Sequence, residues 1–168
     1  DVAVVGYDTR FLSDAYAAAT AEVLAANGFR VYLAQQPAPT PVISFACREL
    51  QAVVAVMITA SHNPARYNGY KLKAAFGGSA LNVQAQLVEE ELASIQASGG
   101  QPRTQKLTQA VQNGQVVYFD PLPSYSKHLQ TLLDFNAISQ YSRQAYVLAD
   151  AMYGAGSGVF EHLLTPTQ

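Results

Sequence analysis

The sequence has one cysteine, few charged residues and no long apolar run, and each scarcity excludes a class of protein. A single thiol, Cys47, cannot build a disulfide framework or a cysteine metal cluster. We expect it to be a buried thiol, because that is how lone cysteines usually occur. The longest apolar run, residues 52–58, is far shorter than the roughly 20 residues that a membrane helix needs.

Charged residues make up 13% of the 168 residues, and the formal net charge is −2. A nucleic-acid-binding protein would show a basic excess or a basic stripe, so nucleic acid is not an expected partner. Nearly half of the residues are apolar, which excludes a disordered chain. Residues 1–10 lack the basic flank and the apolar stretch of a signal peptide. We therefore expect a cytoplasmic protein with no membrane partner, and we interpret both ends of the chain as cut.

Strand patterns alternate with helix patterns along most of the chain, which predicts a layered α/β fold. Predicted strands lie at residues 2–7, 31–33, 52–58 and 70–74, and predicted helices at residues 14–27, 41–50, 82–98 and 124–134. Ser13 and Thr40 suit helix N-caps. Residues 101–115 are polar and aperiodic, which indicates a surface excursion. We predict a three-layer α/β/α domain with a mixed, mostly parallel sheet, in which residues 52–58 form a central strand.

A second structural unit is predicted near the end of the chain. Residues 146–149 resemble a new strand, which leads into Asp150 and the glycine-rich residues 154–158. We place the domain boundary between about residues 135 and 145, so that residues 1–138 form one domain and residues 139–168 open a second, similar one. Because that second unit is incomplete, we expect its apolar surface to be exposed or covered by self-association.

The segment richest in chemistry follows the predicted central strand. It reads Thr59-Ala60-Ser61-His62-Asn63-Pro64 and continues after two residues as Tyr67-Asn68-Gly69-Tyr70-Lys71. Ligands of open α/β sheets bind beyond the carboxyl ends of the strands. A hydroxyl, an imidazole, an amide and exposed backbone N–H groups suit a phosphate. The same residue types also form ordinary turns, so composition alone does not decide between a site and a turn.

This segment resembles the phosphoserine loop of the α-D-phosphohexomutases, which include phosphoglucomutases, phosphomannomutases and phosphoglucosamine mutases. Three further segments are similar to the family in the same order along the chain. They are Gly6-Tyr7-Asp8-Thr9-Arg10, Pro39-Thr40-Pro41 and the run from Asp150 to Gly156. The resemblance implies that this chain corresponds to the first domain of such an enzyme and the start of its second.

The resemblance also implies roles for individual residues. Ser61 matches the serine that carries the phosphoryl group, and Lys71 matches a lysine beside the transferred group. His62 and Asn63 match residues that line the phosphate, whereas Arg10 and Asp8 match a charged pair at the edge of the site. We place Arg10, Asp8 and Lys73 with them among the residues that bind substrate or phosphate. Lys73 would share a face with Lys71 if the segment is a strand, and the alternative is a solvated surface lysine.

The implied reaction interconverts hexose 1-phosphate and hexose 6-phosphate through a phosphoserine and a hexose 1,6-bisphosphate. The implied metal is Mg²⁺, bound to the phosphate on Ser61, with its carboxylate ligands in a D-G-D-G-D-R loop that this sequence does not contain. The family's later sugar-binding motifs are also absent, so we expect the chain alone to be inactive. Thr59 and Tyr67-Asn68-Gly69 look more like glucose- and mannose-phosphate mutases than like phosphoglucosamine mutases, which stay an alternative.

Two interpretations from other classes also start from these residues. A serine hydrolase would pair Ser61 with His62, His128 or His162, but the G-x-S-x-G elbow is missing. A nucleotide-binding loop would use residues 154–158, but their spacing is G-x-G-x-G rather than G-x-G-x-x-G. A tight turn between a strand and a helix explains those glycines more simply. The chain as it stands could also be a fragment without catalytic activity.

Overall fold

The computed structural model describes residues 1–142, 146 and 148–164. Its strands are β1 (Val2–Tyr7), β2 (Arg30–Ala34), β3 (Val54–Ile58), β4 (Tyr70–Ala74) and β5 (Val116–Phe119). The helices in the described part are α1 (Ser13–Ala26), α2 (Thr40–Glu49), α3 (Asn82–Ala97), α4 (Leu107–Gln112), α5 (Leu122–Leu132), α6 (Phe135–Ser142) and α7 (Val159–Leu164).

The strands form one mixed, mostly parallel sheet in the order β4-β3-β1-β2-β5. Strand β1 pairs in parallel with both β2 and β3, and β5 extends the parallel part beside β2. Strand β4 runs antiparallel to β3. The predicted mixed sheet is confirmed, and β3 has a neighbour on each side as predicted, although β1 occupies the centre.

Helices cover both faces of the sheet and complete the predicted three layers. One core joins α2 to Val4 and Met57, and the other joins α1 and α4 to Val5 and Val56. Successive strand residues point to opposite faces, which is why Val4 and Val5 lie in different cores. Cys47 lies fully buried in the first core, as predicted, and burial raises the pKa of its thiol.

The surface excursion predicted at residues 101–115 is wrong, because this stretch contains α4 and leads into β5. Ala110 of α4 is fully buried against α1, and Val116 of β5 is buried in the same core. Two hydrogen bonds to Glu22 of α1 hold the start of α4. A helix of six residues and a strand of four are too short to show a clear period, so the sequence pattern did not reveal them.

Both predicted N-caps are displaced by one residue. Leu12 occupies the cap of α1 with φ of 61°, and Ser13 is the first helical residue. The hydroxyl of Ser13 donates to Asp8 instead of capping the helix. Pro39 is the cap residue of α2, so Thr40 lies inside that helix.

Helix α3 forms where its period predicts it, but it has no buried residue. Val88 and Leu92, which lie on the predicted apolar face, are 52% and 53% exposed. The period of a helix records which residues share a face, and it does not determine whether another element packs on that face.

The proposed boundary between two domains stays a prediction. Helix α6 occupies much of the predicted boundary region. Val147, at the middle of the predicted new strand, lies outside the described residues, and the described Tyr146 and Leu148 are exposed and belong to no regular element. Within the described parts of the chain, no helix is long and apolar enough to cross a membrane.

Candidate active site

The candidate site lies where β1 and β3 end and β4 begins. Tyr7 is paired with Ile58, and Ile58 with Tyr70, so the segments that follow or precede these residues meet at one edge. The Asp8 amide donates to Ile58 across this edge at 3.1 Å, and the Thr59 amide donates to Gly69 at 2.9 Å. Asp8, Arg10, Ser61 and Lys71, which are far apart in sequence, are thereby brought together.

Ser61 lies in the left-handed region, with φ of 53°. This conformation costs a residue other than glycine about 1–2 kcal/mol. The Ser61 amide donates to Thr59 Oγ1 at 3.0 Å, and the Ser61 carbonyl accepts from Arg10 Nη2 at 2.7 Å. Hydrogen bonds on both sides therefore hold the backbone of the candidate nucleophile in a strained position.

Lys71 supplies the hydrogen-bond partner of the Ser61 hydroxyl. Its Nζ donates to Ser61 Oγ, although the two residues are ten positions apart. The turn between β3 and β4 reverses the chain, and the register that pairs Lys71 with Met57 brings the lysine back beside the loop. The structure thus brings together the two residues that the sequence predicts to be catalytic.

Lys73 lies on the same face of β4 as Lys71, paired with Ala55. It is 8% exposed, so the alternative of a solvated surface lysine is wrong. Burial lowers the pKa of Lys73, and the positive charge of Lys71 lowers it further. A second lysine therefore lies on the same strand face as Lys71, close enough for their charges to interact.

Arg10 was predicted to contact phosphate, but its guanidinium points at the serine loop itself. Its Nε lies 3.3 Å from Asp8 Oδ2, and the Arg10 and Asp8 side chains are only 15% and 13% exposed. Its terminal nitrogens donate to four main-chain carbonyls of the loop, those of Ser61, Asn63, Pro64 and Tyr67. These contacts show that Arg10 supports the loop, and its predicted phosphate binding stays a prediction.

Asp8 belongs to the same hydrogen-bond network. Its Oδ1 accepts from the Arg10 amide at 3.0 Å and from Ser13 Oγ at 2.8 Å. Asn68 Nδ2 donates to Ser13 Oγ at 2.9 Å and so connects the far end of the loop to α1. These contacts place Asp8 in the support of the loop, and its predicted part in binding substrate stays a prediction. Sequence reasoning missed Ser13 and Asn68, which are 55 positions apart and carry no shared local signal.

His62 and Asn63 have exposed side chains on the loop, and neither side chain makes a hydrogen bond to any described residue. Asn63 and Ser61 both line an open cleft beside the loop. The predicted role of His62 and Asn63 in lining the phosphate stays a prediction.

An open cleft of about 590 Å³ lies between the serine loop and the glycine-rich segment. Arg10, Phe11 and Ser61 line it on one side, and Gly154 and Ala155 line it on the other. The two segments singled out in the sequence therefore face one cavity. The described residues show the glycines beside this cleft but give no independent sign of a nucleotide site.

Gly69 is a further residue that the site requires. A Cβ at this position would lie 2.6 Å from the carbonyl oxygen of Thr59, closer than real side chains approach. The Asn68-Gly69 pair is a turn signal in the sequence, but the close approach of two main chains becomes visible only in the fold.

The described residues do not form a complete magnesium site. Nowhere in residues 1–142, 146 and 148–164 do three or more His, Cys, Asp or Glu side chains gather around a common point. The part of this chain that the structure describes could therefore contribute to such a site only through a phosphate carried on Ser61.

The fold and the site together define a three-layer α/β/α domain that presents a serine loop at the carboxyl edge of its sheet. The family described as "Phosphoglucomutase/phosphomannomutase, alpha/beta/alpha domain I" matches residues 1–98. The chain therefore belongs to the phosphoglucomutase/phosphomannomutase family.

Individual relatives agree with this membership. A phosphoglucomutase of Staphylococcus saprophyticus is 33% identical over 164 residues, which is 96% of this chain and 29% of that protein. The "Probable phosphomannomutase" of Haemophilus influenzae is 44% identical over 82 residues, or 47% of this chain and 17% of that protein. A crystal structure of a candidate phosphomannomutase from Thermus thermophilus superposes with a TM-score of 0.77 and 37% identity, covering 97% of this chain and 34% of the other. The chain thus spans about a third or less of these proteins.

Proposed function

We propose that this chain is the phosphoserine domain of a phosphohexomutase, which interconverts hexose 1-phosphate and hexose 6-phosphate. The observation that carries the proposal is the hydrogen bond from Lys71 Nζ to Ser61 Oγ on a loop whose backbone is held in a strained conformation. The names of the relatives support the same reaction class. Because the chain spans only a part of those proteins, the reaction belongs to an enzyme with further domains.

The reaction consists of two phosphoryl transfers through Ser61. In the first, a free hydroxyl oxygen of the hexose phosphate attacks the phosphorus of phosphoserine. The bond from phosphorus to Ser61 Oγ breaks, a bond to the sugar oxygen forms, the sugar hydroxyl loses its proton and Ser61 Oγ gains one. The product is a hexose 1,6-bisphosphate. The second transfer returns the other phosphoryl group to Ser61, with the reverse movement of protons. Covalent catalysis thus divides one exchange into two easier steps.

Lys71 is placed to assist at the atom whose bond to phosphorus breaks. As Ser61 Oγ departs, negative charge develops on it, and an ammonium that already donates to this oxygen stabilises the charge or supplies the proton. In the return step, the same nitrogen accepts the proton of the hydroxyl. Phosphoryl transfer depends mainly on positioning and charge, so one well-placed lysine contributes to both steps.

Mg²⁺ bound to the phosphate on Ser61 is part of the proposal and would neutralise further charge. Its remaining ligands would come from outside the described residues, because these contain no group of three metal-ligating side chains. Hexose 1,6-bisphosphate is proposed as the intermediate, and also as the activator that loads an unphosphorylated Ser61.

Glucose phosphate is our first choice of substrate and mannose phosphate our second, with phosphoglucosamine as the alternative. Thr59 and Tyr67 contributed to this ranking in the sequence. In the structure, the Thr59 hydroxyl accepts a hydrogen bond from the Ser61 amide, and the Tyr67 carbonyl accepts one from Arg10. Both groups therefore stabilise the conformation of the loop. The preference between sugars therefore rests on the names of the relatives, and groups outside this chain would read the sugar.

The proposal is tested by mass spectrometry of the full-length enzyme after incubation with glucose 1,6-bisphosphate. We expect one phosphate on Ser61. The variant Ser61→Ala should carry no phosphate, and its mutase activity should fall by several orders of magnitude. Ser94→Ala, at an exposed serine of α3, is the matched control and should behave as wild type. Near-normal turnover by Ser61→Ala would refute the assignment.

A serine hydrolase is the competing class for the same nucleophile. Among the described residues, the hydrogen-bond partner of the Ser61 hydroxyl is Lys71, and no histidine forms a hydrogen bond with it. We therefore expect a fluorophosphonate probe to label Ser61 poorly. Rapid labelling that depends on Ser61 would favour the hydrolase.

A further inference from the structure

The serine loop has little apolar packing of its own, so its conformation depends on its hydrogen bonds. Every side chain from Ser61 to Tyr67 is exposed. A segment without buried side chains gains no hydrophobic stabilisation, so polar contacts must fix its shape. Arg10, on the neighbouring strand end, provides four of these contacts at distances of 2.7 to 3.0 Å.

We propose that Arg10 is the positioning residue that sets the conformation of the serine loop, and that it acts through the loop carbonyls and not by binding phosphate. The part of this inference that concerns catalysis rests on the proposed function. The part that concerns the loop conformation stands on the geometry alone.

The donors of Arg10 are fully used. A guanidinium carries five N–H groups in a planar fork. Nη1 donates to the carbonyls of Pro64 and Tyr67 at 3.0 Å each, and Nη2 donates to those of Ser61 and Asn63 at 2.7 Å each. The remaining donor, at Nε, faces Asp8. An arginine in this arrangement has no N–H group left for a phosphoryl oxygen.

The carbonyl contacts also determine where the loop amides point. In a trans peptide the C=O and N–H bonds are antiparallel, and the described residues contain no cis peptide. When the carbonyls of Ser61, Pro64 and Tyr67 turn towards Arg10, the N–H groups of the next residues turn away from it.

These three N–H groups belong to His62, Ala65 and Asn68. None of them has a hydrogen-bond acceptor among the described residues. The loop carbonyl oxygens therefore face Arg10 on one side, and N–H groups without an acceptor among the described residues face the other side. Such N–H groups favour the binding of an anion.

Lysine could not replace Arg10 in this role. An ammonium is a compact point charge with three donors, whereas the fork of arginine reaches four carbonyls at once. A residue that only attracted phosphate would keep much of its function as lysine. The variant Arg10→Lys therefore separates the two roles.

The first experiment is amide hydrogen exchange of the 168-residue chain by NMR. In Arg10→Lys, the hydrogen-bonded amides of Ser61, Asn63 and Tyr67 should exchange at least about tenfold faster, while amides of β1 and β3 keep their protection. Arg66→Lys, at an exposed arginine of the same loop, is the matched control and should leave the exchange unchanged. Unchanged exchange in Arg10→Lys would overturn the inference.

The second experiment follows phosphorylation of Ser61 in the full-length enzyme by glucose 1,6-bisphosphate. Arg10→Lys and Arg10→Ala should lower the maximal rate at least about tenfold with little change in the half-saturating concentration. Added guanidinium should restore part of the rate in Arg10→Ala. A raised half-saturating concentration at an unchanged maximal rate would show phosphate binding and overturn the inference.

These two experiments separate the inference from the proposed function. If the wild-type enzyme is not phosphorylated, the mutase proposal fails, but the exchange measurement still decides the role of Arg10. If Arg10→Ala does not fold, Arg10→Lys, which keeps a positive charge beside Asp8, decides both measurements.

Discussion

Gly69→Ala should destabilise the protein although it adds only one methyl group. The new Cβ would lie 2.6 Å from the carbonyl oxygen of Thr59 and 3.4 Å from its carbonyl carbon. Neither atom can move easily, because the Thr59 amide donates to the carbonyl of Gly69 at 2.9 Å and ties the two main chains together. The overlap must therefore separate the end of β3 from the start of β4.

The cost has two parts that can be bounded. Forcing a group into a filled space costs about 1–3 kcal/mol. Losing the hydrogen bond between Thr59 and Gly69 costs about 0.5–1.5 kcal/mol more. The sum is about 1.5–4.5 kcal/mol, which lowers the midpoint of thermal unfolding by roughly 3–18 °C in a chain of this size.

The assay is thermal and urea unfolding of Gly69→Ala beside Gly156→Ala. A Cβ at Gly156 meets no atom within 4 Å, so this control should stay within about 0.5 kcal/mol of wild type. If Gly69→Ala also stays within about 0.5 kcal/mol, the close approach of the two main chains is not a real constraint and the reasoning is refuted.

Three further predictions concern the loop, the buried lysine and the chain as a whole. Thr59→Val removes the acceptor of the Ser61 amide and should cost about 1–3 kcal/mol in urea unfolding, whereas Thr59→Ser should retain the bond. Lys73→Met should stabilise the protein at pH 7, and this gain should shrink as the pH rises towards the ordinary lysine pKa of 10.5. The 168-residue chain should show no sustained turnover in a coupled assay with glucose 1-phosphate, Mg²⁺ and a trace of hexose bisphosphate. Its described residues contain no group of three metal-ligating side chains that would help to offset the charge of two phosphates.

The sign of the Lys73 prediction follows from proton linkage. Burial lowers the pKa of Lys73 in the folded state, so between that pKa and 10.5 the unfolded state binds more protons. Stability therefore rises with pH across this window, and the penalty of the buried charge is fully present below it. Lys127→Met, at an exposed lysine, is the control and should show no such pH dependence. Equal gains at pH 7 and pH 10 for Lys73→Met would contradict the assigned cause.

The predictions for Thr59→Val and for the activity of the 168-residue chain can also be contradicted by experiment. Wild-type stability in Thr59→Val would show that the hydroxyl does not support the Ser61 backbone. Turnover by the 168-residue chain above background would show that further domains are not needed for the reaction.

Local patterns in the sequence determined much of this fold. Residues that face the core must be apolar, and they recur at the period of the strand or helix that carries them. This is why β1, β3 and α1 could be predicted from the sequence alone. The serine loop was also identifiable, because its residues follow a predicted central strand and resemble a known motif that is continuous in sequence. Covalent chemistry at Ser61 could therefore be predicted from this segment and its resemblance to a known family.

Only the tertiary structure decided how that loop is held. The guanidinium of Arg10 meets carbonyls more than 50 positions away, and Ser13 meets Asn68 at a similar separation. Such contacts depend on the order of β1, β3 and β4 in the sheet, and strand order leaves no period in the sequence. For the same reason, the sequence predicted that α3 is a helix but not that its apolar face stays exposed among the described residues. It also did not reveal that Lys73 is buried. Period is a local property of the chain, whereas burial and hydrogen-bond partners are properties of the assembled sheet and helices.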